Sequence, residues 1–234
     1  MAADKLPALA GLARALQLAR ADDEYLAGLW RGSLLDDLLW THRQVGFGRR
    51  AVPGRPQEYR APSWSWAAVD GNVRWPYVTF DVNATGDRYK YFATVLHAKT
   101  VPKTDNPLGE VKGGQIVLRG PLKQAAHNRK TLVHMKIAAT TEDERPVDLG
   151  LPILDCEDQL AAELELNDTI PNVWLLRIKG PVFLVLTPAE GEPGVQSFRR
   201  LGVLDAPRWA KRGWVSFEDT EWLGRCEEQV VTII

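Results

Sequence analysis

The chain has 234 residues, enough to bury a substantial core, and its 29 Lys and Arg against 30 Asp and Glu leave a net charge of -1. Such a balance provides no global field to draw it to nucleic acid or to an anionic membrane, and no apolar run approaches the roughly 18 residues that span a bilayer. The two cysteines, Cys156 and Cys226, stand in neither a CxxC nor a Cys/His ligand spacing, so neither a metal site nor a disulfide framework is indicated.

In chain order, Leu6, Leu9, Ala13 and Leu16 step by three and four between Asp4 and Arg20, with Pro7 in the first turn and Asp4 at the cap position, and predict an amphipathic helix. Asp22 to Trp30 opens on acidic residues, as helix N-termini do, and Ser33 to Trp40 offers another short helix. Residues 1–45 therefore read as a helical lead-in. Residues 46–62, rich in Gly, Pro and Arg, read as a loop. Around it the basic cluster Arg43, Arg49, Arg50, Arg55 and Arg60 reads as a solvated loop and not as a phosphate track.

From residue 63 to 234 β-type runs follow one another: Asn72 to Phe80, Lys90 to Val101, Gln115 to Leu122, Thr131 to Ala138, Val173 to Lys179, Val182 to Thr187, Ser197 to Leu204 and Gln229 to Ile234. They predict an antiparallel barrel or sandwich, giving a mainly β (α+β) chain in one compact unit. Gly180-Pro181 marks a tight turn, and Asp155 to Leu166 suits a short helix. Alternation places Trp75, Tyr77 and Thr79 on one face, and Tyr91, Ala93, Val95 and His97 on another, with His97 inside or in a cleft. With no signal-like apolar stretch at its start, the chain is expected to be soluble and cytoplasmic.

The most distinctive string is Tyr59-Arg60-Ala61-Pro62-Ser63-Trp64-Ser65-Trp66, followed by Ala67, Ala68, Val69 and Asp70. Two indoles at i and i+2 would share one face of an extended segment. Together with Asp4 to Ala13, Asp23 to Trp30, Leu38-Leu39-Trp40 and the closing Phe198-Arg199-Arg200-Leu201-Gly202, this string resembles the region that follows the effector domain in fungal heterokaryon-incompatibility (HET) proteins. The strings occur in that family's order. The TIR-like effector unit, with its Leu-Ser-Tyr-x-Trp-Gly type opening, is absent from the sequence, so the resemblance implies no effector activity. Either the chain is a piece of such a protein or it is a free-standing β module.

No phosphate loop, GxSxG elbow or HExxH string occurs, and no cofactor is expected. What remains is aromatic: nine tryptophans. Trp64 and Trp66 are expected chiefly to clamp the lead-in on the β module, while Trp75, Tyr77 and Tyr91 are wall candidates for an apolar pocket. Arg60 and Asp70 would orient a ligand there or form a structural ion pair, and His97, a further wall candidate, would be the acid or base or else a satisfied core residue.

Two functions fit. The first is a cofactor-free cyclase, isomerase or pericyclase that folds an apolar fungal terpenoid or polyketide into a reactive conformer, since near-attack geometry alone supplies about 7–11 kcal/mol in favourable cases. The second is a non-catalytic HET-type module that senses a ligand or partner or restrains a HET effector. An enclosed aromatic cavity would favour the first, and a filled core with an exposed apolar patch the second.

Overall fold

The computed structural model describes residues 4–42, 54–76, 90–128, 136–140, 146–148, 153–156, 173–191, 194–205 and 227–234, with backbone alone for 126–128, 136–140 and 146–148. Helix α1 (Lys5–Ala19) forms as its apolar spacing predicts and turns Leu6 and Ala13 inward, but Leu16 faces solvent. Asp4 gives it no side-chain cap.

Asp22 to Trp30 is not a helix. Strands β1 (Tyr25–Leu26) and β2 (Leu29–Trp30) form a hairpin whose two-residue turn places Ala27 at φ 47° and Gly28 at φ 97°. Positive φ at both central residues is the type I′ geometry that matches the twist of paired strands. The acidic residue expected to open a helix instead ties loops: Asp23 Oδ1 accepts from the backbone N–H groups of Glu24 (2.9 Å) and Gly32 (2.8 Å). A 3₁₀ turn (Arg31–Ser33), the one-turn helix α2 (Leu34–Asp37) and strand β3 (Thr41–His42) follow, with β3 paired to β4 (Val73–Arg74). The lead-in therefore contains one long helix, a hairpin and a single helical turn.

The remainder is mainly β. Strands β5 (Thr94–Pro102), β6 (Val111–Asn128), β7 (Lys136–Thr140), β8 (Pro146–Asp148), β9 (Ile153–Leu154), β10 (Val173–Lys179), β11 (Val182–Ala189), β12 (Ser197–Asp205) and β13 (Glu228–Ile233) join one sheet. Five of them, β6, β10, β11, β12 and β13, close into a barrel, because β10 pairs with both β11 and β6. An odd-numbered ring cannot alternate direction throughout, and the single parallel pair is β12 with β13.

The long strand β6 staples the barrel. It pairs β5 up to Arg119 and β13 up to Pro121, and then takes β10 from Leu122 to Ala125. Before β5 reaches β6, its approach runs along β10, where Phe92 N–H donates to Ile178 O and Gly180 N–H to Lys90 O, both at 2.9 Å. That passage sets Tyr91 opposite Lys179.

Leu118, Leu122, Leu176, Ile178, Leu184, Leu186, Val203, Val231 and Ile233 are buried and belong to the same apolar cluster as Leu6, Leu26, Leu29, Leu34, Leu38, Leu39 and Trp64. Lead-in and barrel thus share one core. Barrel width grows with strand number, and even about eight strands leave room only for side chains or one small ligand. With five strands and these residues buried, side chains fill the barrel among the described residues, which show no enclosed aromatic pocket there.

Candidate functional site

The Tyr59–Trp66 string is not extended. It turns at Ser63 and Trp64 and enters a 3₁₀ turn (Trp66–Ala68), which Ser65 caps by accepting from Ala67 N–H at 3.0 Å. Both tryptophans nevertheless tie to the lead-in. Trp64 is fully buried, and its carbonyl accepts from Trp40 Nε1 at 2.9 Å. Trp66 Nε1 donates to Gly28 O (3.0 Å), and Ser65 Oγ to Ala27 O (2.6 Å), so the string grips the hairpin turn by both its carbonyls. Lys5 Nζ donates to Val69 O at 2.6 Å and lies over the Trp66 ring.

Arg60 and Asp70 form the structural pair, with Arg60 donating to Asp70 Oδ1 (2.9 Å) and to Ala67 O (2.5 Å). Arg60 is buried, and so is most of Arg55; neither is the solvated loop cation that the composition of residues 46–62 suggests.

Beside this joint sits a buried charge that the sequence did not disclose. Arg200 on β12 has no exposed surface, donates to both carboxylate oxygens of Asp155 at 2.9 Å, and caps Leu38 O and Trp40 O at 2.6 Å each. Its guanidinium stacks 3.6 Å from the Trp40 ring centre. His42 Nε2 donates to Asp155 O at 2.7 Å. Burial pulls the Arg200 pKa down and Asp155 opposes it. The register slips where Leu201 has no partner between Arg200 and Gly202, a bulge of the kind that re-aims neighbouring side chains.

The predicted wall residues Trp75 and Tyr91 each bond to the turn of α2. Trp75 Nε1 donates to Asp37 O at 3.0 Å, and Tyr91 OH donates to Asp36 Oδ2 at 2.5 Å. Lys179 Nζ donates to Asp36 Oδ1 (2.7 Å) and to Tyr91 OH (3.2 Å). Burial raises the Tyr91 pKa and the bond to Asp36 adds to it; burial lowers that of Lys179, but Asp36 and Tyr91 outweigh it and the net shift is upward. Both groups therefore move away from neutrality, so at pH 7 the tyrosine stays protonated and the lysine charged. That suits recognition of a polar group better than proton transfer.

Tyr77 lies outside the described residues. His97 does not join either cluster: β5 bulges at Leu96, between Val95 and His97, and the broken alternation leaves His97 exposed. The depression formed by Ala19 to Asp23 with Arg31 and Gly32 holds about 440 Å³ and is open and charged, unlike an aromatic pocket. Among the described residues no cluster of His, Cys, Asp and Glu could hold a metal ion, and no helix is long and apolar enough to cross a membrane.

No protein-family model matches the chain, and no curated protein or solved structure matches it.

Proposed function

We propose that this chain is a binding module of HET type that docks on a partner protein, such as a HET effector domain, through the outer face of α1. A filled barrel beside an exposed apolar helix face carries the reading. Ala8, Leu12, Ala15, Leu16 and Ala19 follow helical spacing on the side of α1 away from Leu6 and Ala13, with Leu12 59% and Leu16 44% exposed. A helix apolar on two sides is apt to be covered on both. The ties from Ser65, Trp66 and Lys5 hold the lead-in on the barrel, so the outer face would be presented in a fixed orientation. The resemblance of the Tyr59–Trp66 string to HET proteins supports an effector as the partner.

The test is binding of the purified chain to a HET effector domain by calorimetry. Association lost in a Leu12→Asp, Leu16→Lys variant of unchanged melting temperature is the expected result. No association, or association indifferent to that variant, would sink the docking reading.

A second reading is favoured by the convergence of Trp75 and Tyr91 on α2. Here the chain binds an apolar small molecule of terpenoid or polyketide type at that rim, with Lys179 and Tyr91 holding its oxygen atoms, and acts as a cofactor-free cyclase, isomerase or pericyclase. Conversion of a linear precursor by the purified chain, abolished in Trp75→Ala, supports it. Unchanged precursor throughout removes it.

A further inference from the structure

Strands β6 and β13 set Arg119, Pro121, Glu228 and Val230 together on the outside of the barrel. Leu118, Leu122 and Val231 belong to the core, so alternation turns these neighbours outward. Val230 stands opposite Arg119, and Glu228 opposite Pro121. The charged residues therefore occupy one diagonal of the group and the apolar residues the other. Val230 is 50% exposed, and Leu96, at the bulge of β5 beside the exposed His97, is 43% exposed. With Val117 half-buried between them, an apolar surface crosses from β13 over β6 to β5.

Arg119 and Glu228 are both exposed, and neither makes an ion pair or a side-chain hydrogen bond among the described residues. A partner surface of one charge sign would satisfy one of them and repel the other. A second copy of the chain satisfies both. A two-fold axis along the apolar diagonal exchanges the charged corners, so that each Arg119 lies over the partner's Glu228, while Val230 meets Val230 and Pro121 meets Pro121.

We propose that this face is a self-association surface through which two copies of the chain pair about that axis. It lies on the barrel and is independent of the α1 docking face. Two ion pairs around a small apolar centre make a small interface, and interfaces of that size belong to transient, concentration-dependent pairs.

The experiment is sedimentation equilibrium of the full chain over a wide range of concentration. A reversible monomer–dimer equilibrium is expected. Arg119→Glu alone and Glu228→Arg alone should each weaken it by at least about tenfold, because like charges then face one another in both contacts. An equimolar mixture of these two variants should restore association to the parent level, since both contacts then join opposite charges again. Loss of folding in either variant could not produce that restoration. Leu12→Asp, Leu16→Lys should leave the dimer unchanged. The proposal is overturned by a chain that stays monomeric throughout, by a dimer indifferent to either charge reversal or lost in Leu12→Asp, Leu16→Lys, or by a mixture no more associated than its components.

Discussion

Arg200 and Asp155 make a two-pronged pair, 2.9 Å at each prong, with side chains 0% and 2% exposed. A pair taken so completely out of water gains from its own attraction roughly what its desolvation costs, but removal of one partner leaves the other charged and unpaired. Asp155→Ala is therefore expected to destabilise the chain by about 3–5 kcal/mol in urea unfolding. Adding Arg200→Met should recover only part of that loss, because the carbonyls of Leu38 and Trp40 stay without the donors that Arg200 provides. Full recovery in the double variant would show that the two caps contribute nothing.

Trp64 and Trp40 differ in a way that substitution can read. Trp64 packs in the core, yet its Nε1 is buried without a hydrogen-bond partner among the described residues, whereas Trp40 Nε1 donates to Trp64 O. Trp64→Ala should cost about 3–5 kcal/mol, as loss of a large buried aromatic does. Trp64→Phe gives up volume but no hydrogen bond, and Trp40→Phe gives up both. Chemical denaturation should rank Trp40→Phe below Trp64→Phe by about 1 kcal/mol. The reverse order would show that the Trp64 indole N–H has a partner in solution.

Gly28 holds the hairpin turn against the tryptophan string. Its φ is 97°, and a Cβ there would lie 2.5 Å from Trp66 Nε1. Gly28→Ala should therefore cost the roughly 1–2 kcal/mol of a left-handed non-glycine residue and also displace the indole. The measurement is the melting temperature together with the change in tryptophan fluorescence relative to Trp66→Phe. A melting temperature equal to that of the parent chain would mean that Ser65 and Trp66 do not fix the turn.

Strands β10 to β13 were legible because long apolar, β-branched runs stand between turn residues, and the predicted bounds lie within one or two residues of the observed ones. The hairpin at Tyr25–Trp30 was not, because its turn is Ala-Gly, a weak type I′ signal beside three acidic residues that mimic a helix start. His97 was misplaced for a related reason: one unpaired residue at Leu96 reverses every inside and outside assignment after it. The sequence singled out Tyr91, but its partners Asp36 and Lys179 are 143 positions apart and meet only through the fold. Arg200 with Asp155, 45 positions apart, was hidden likewise.

The Asp36, Tyr91 and Lys179 cluster makes stability fall at alkaline pH. Both Tyr91 and Lys179 have pKa values raised in the folded chain, from ordinary values of 10.0 and 10.5. A group whose folded pKa is raised binds its proton more tightly in the folded state. Its contribution is complete below the ordinary pKa and is lost as pH climbs through the raised one. Urea unfolding should therefore show a decline that begins near pH 10, where Tyr91 of the unfolded chain ionises while that of the folded chain keeps its proton, and continues as Lys179 loses its charge. Other tyrosines and lysines titrate in the same range, so the reading is the difference from Tyr91→Phe and Lys179→Met. Each should flatten part of the decline, Lys179→Met at some cost below pH 10 because Asp36 then loses its cation. Since Tyr91 is 44% exposed, water screens its share, and the larger change is expected from Lys179. An alkaline limb identical in all three proteins would mean that the cluster does not join α2 to β10 in solution, and the rim of α2 to which Tyr91 bonds would then lack its anchor.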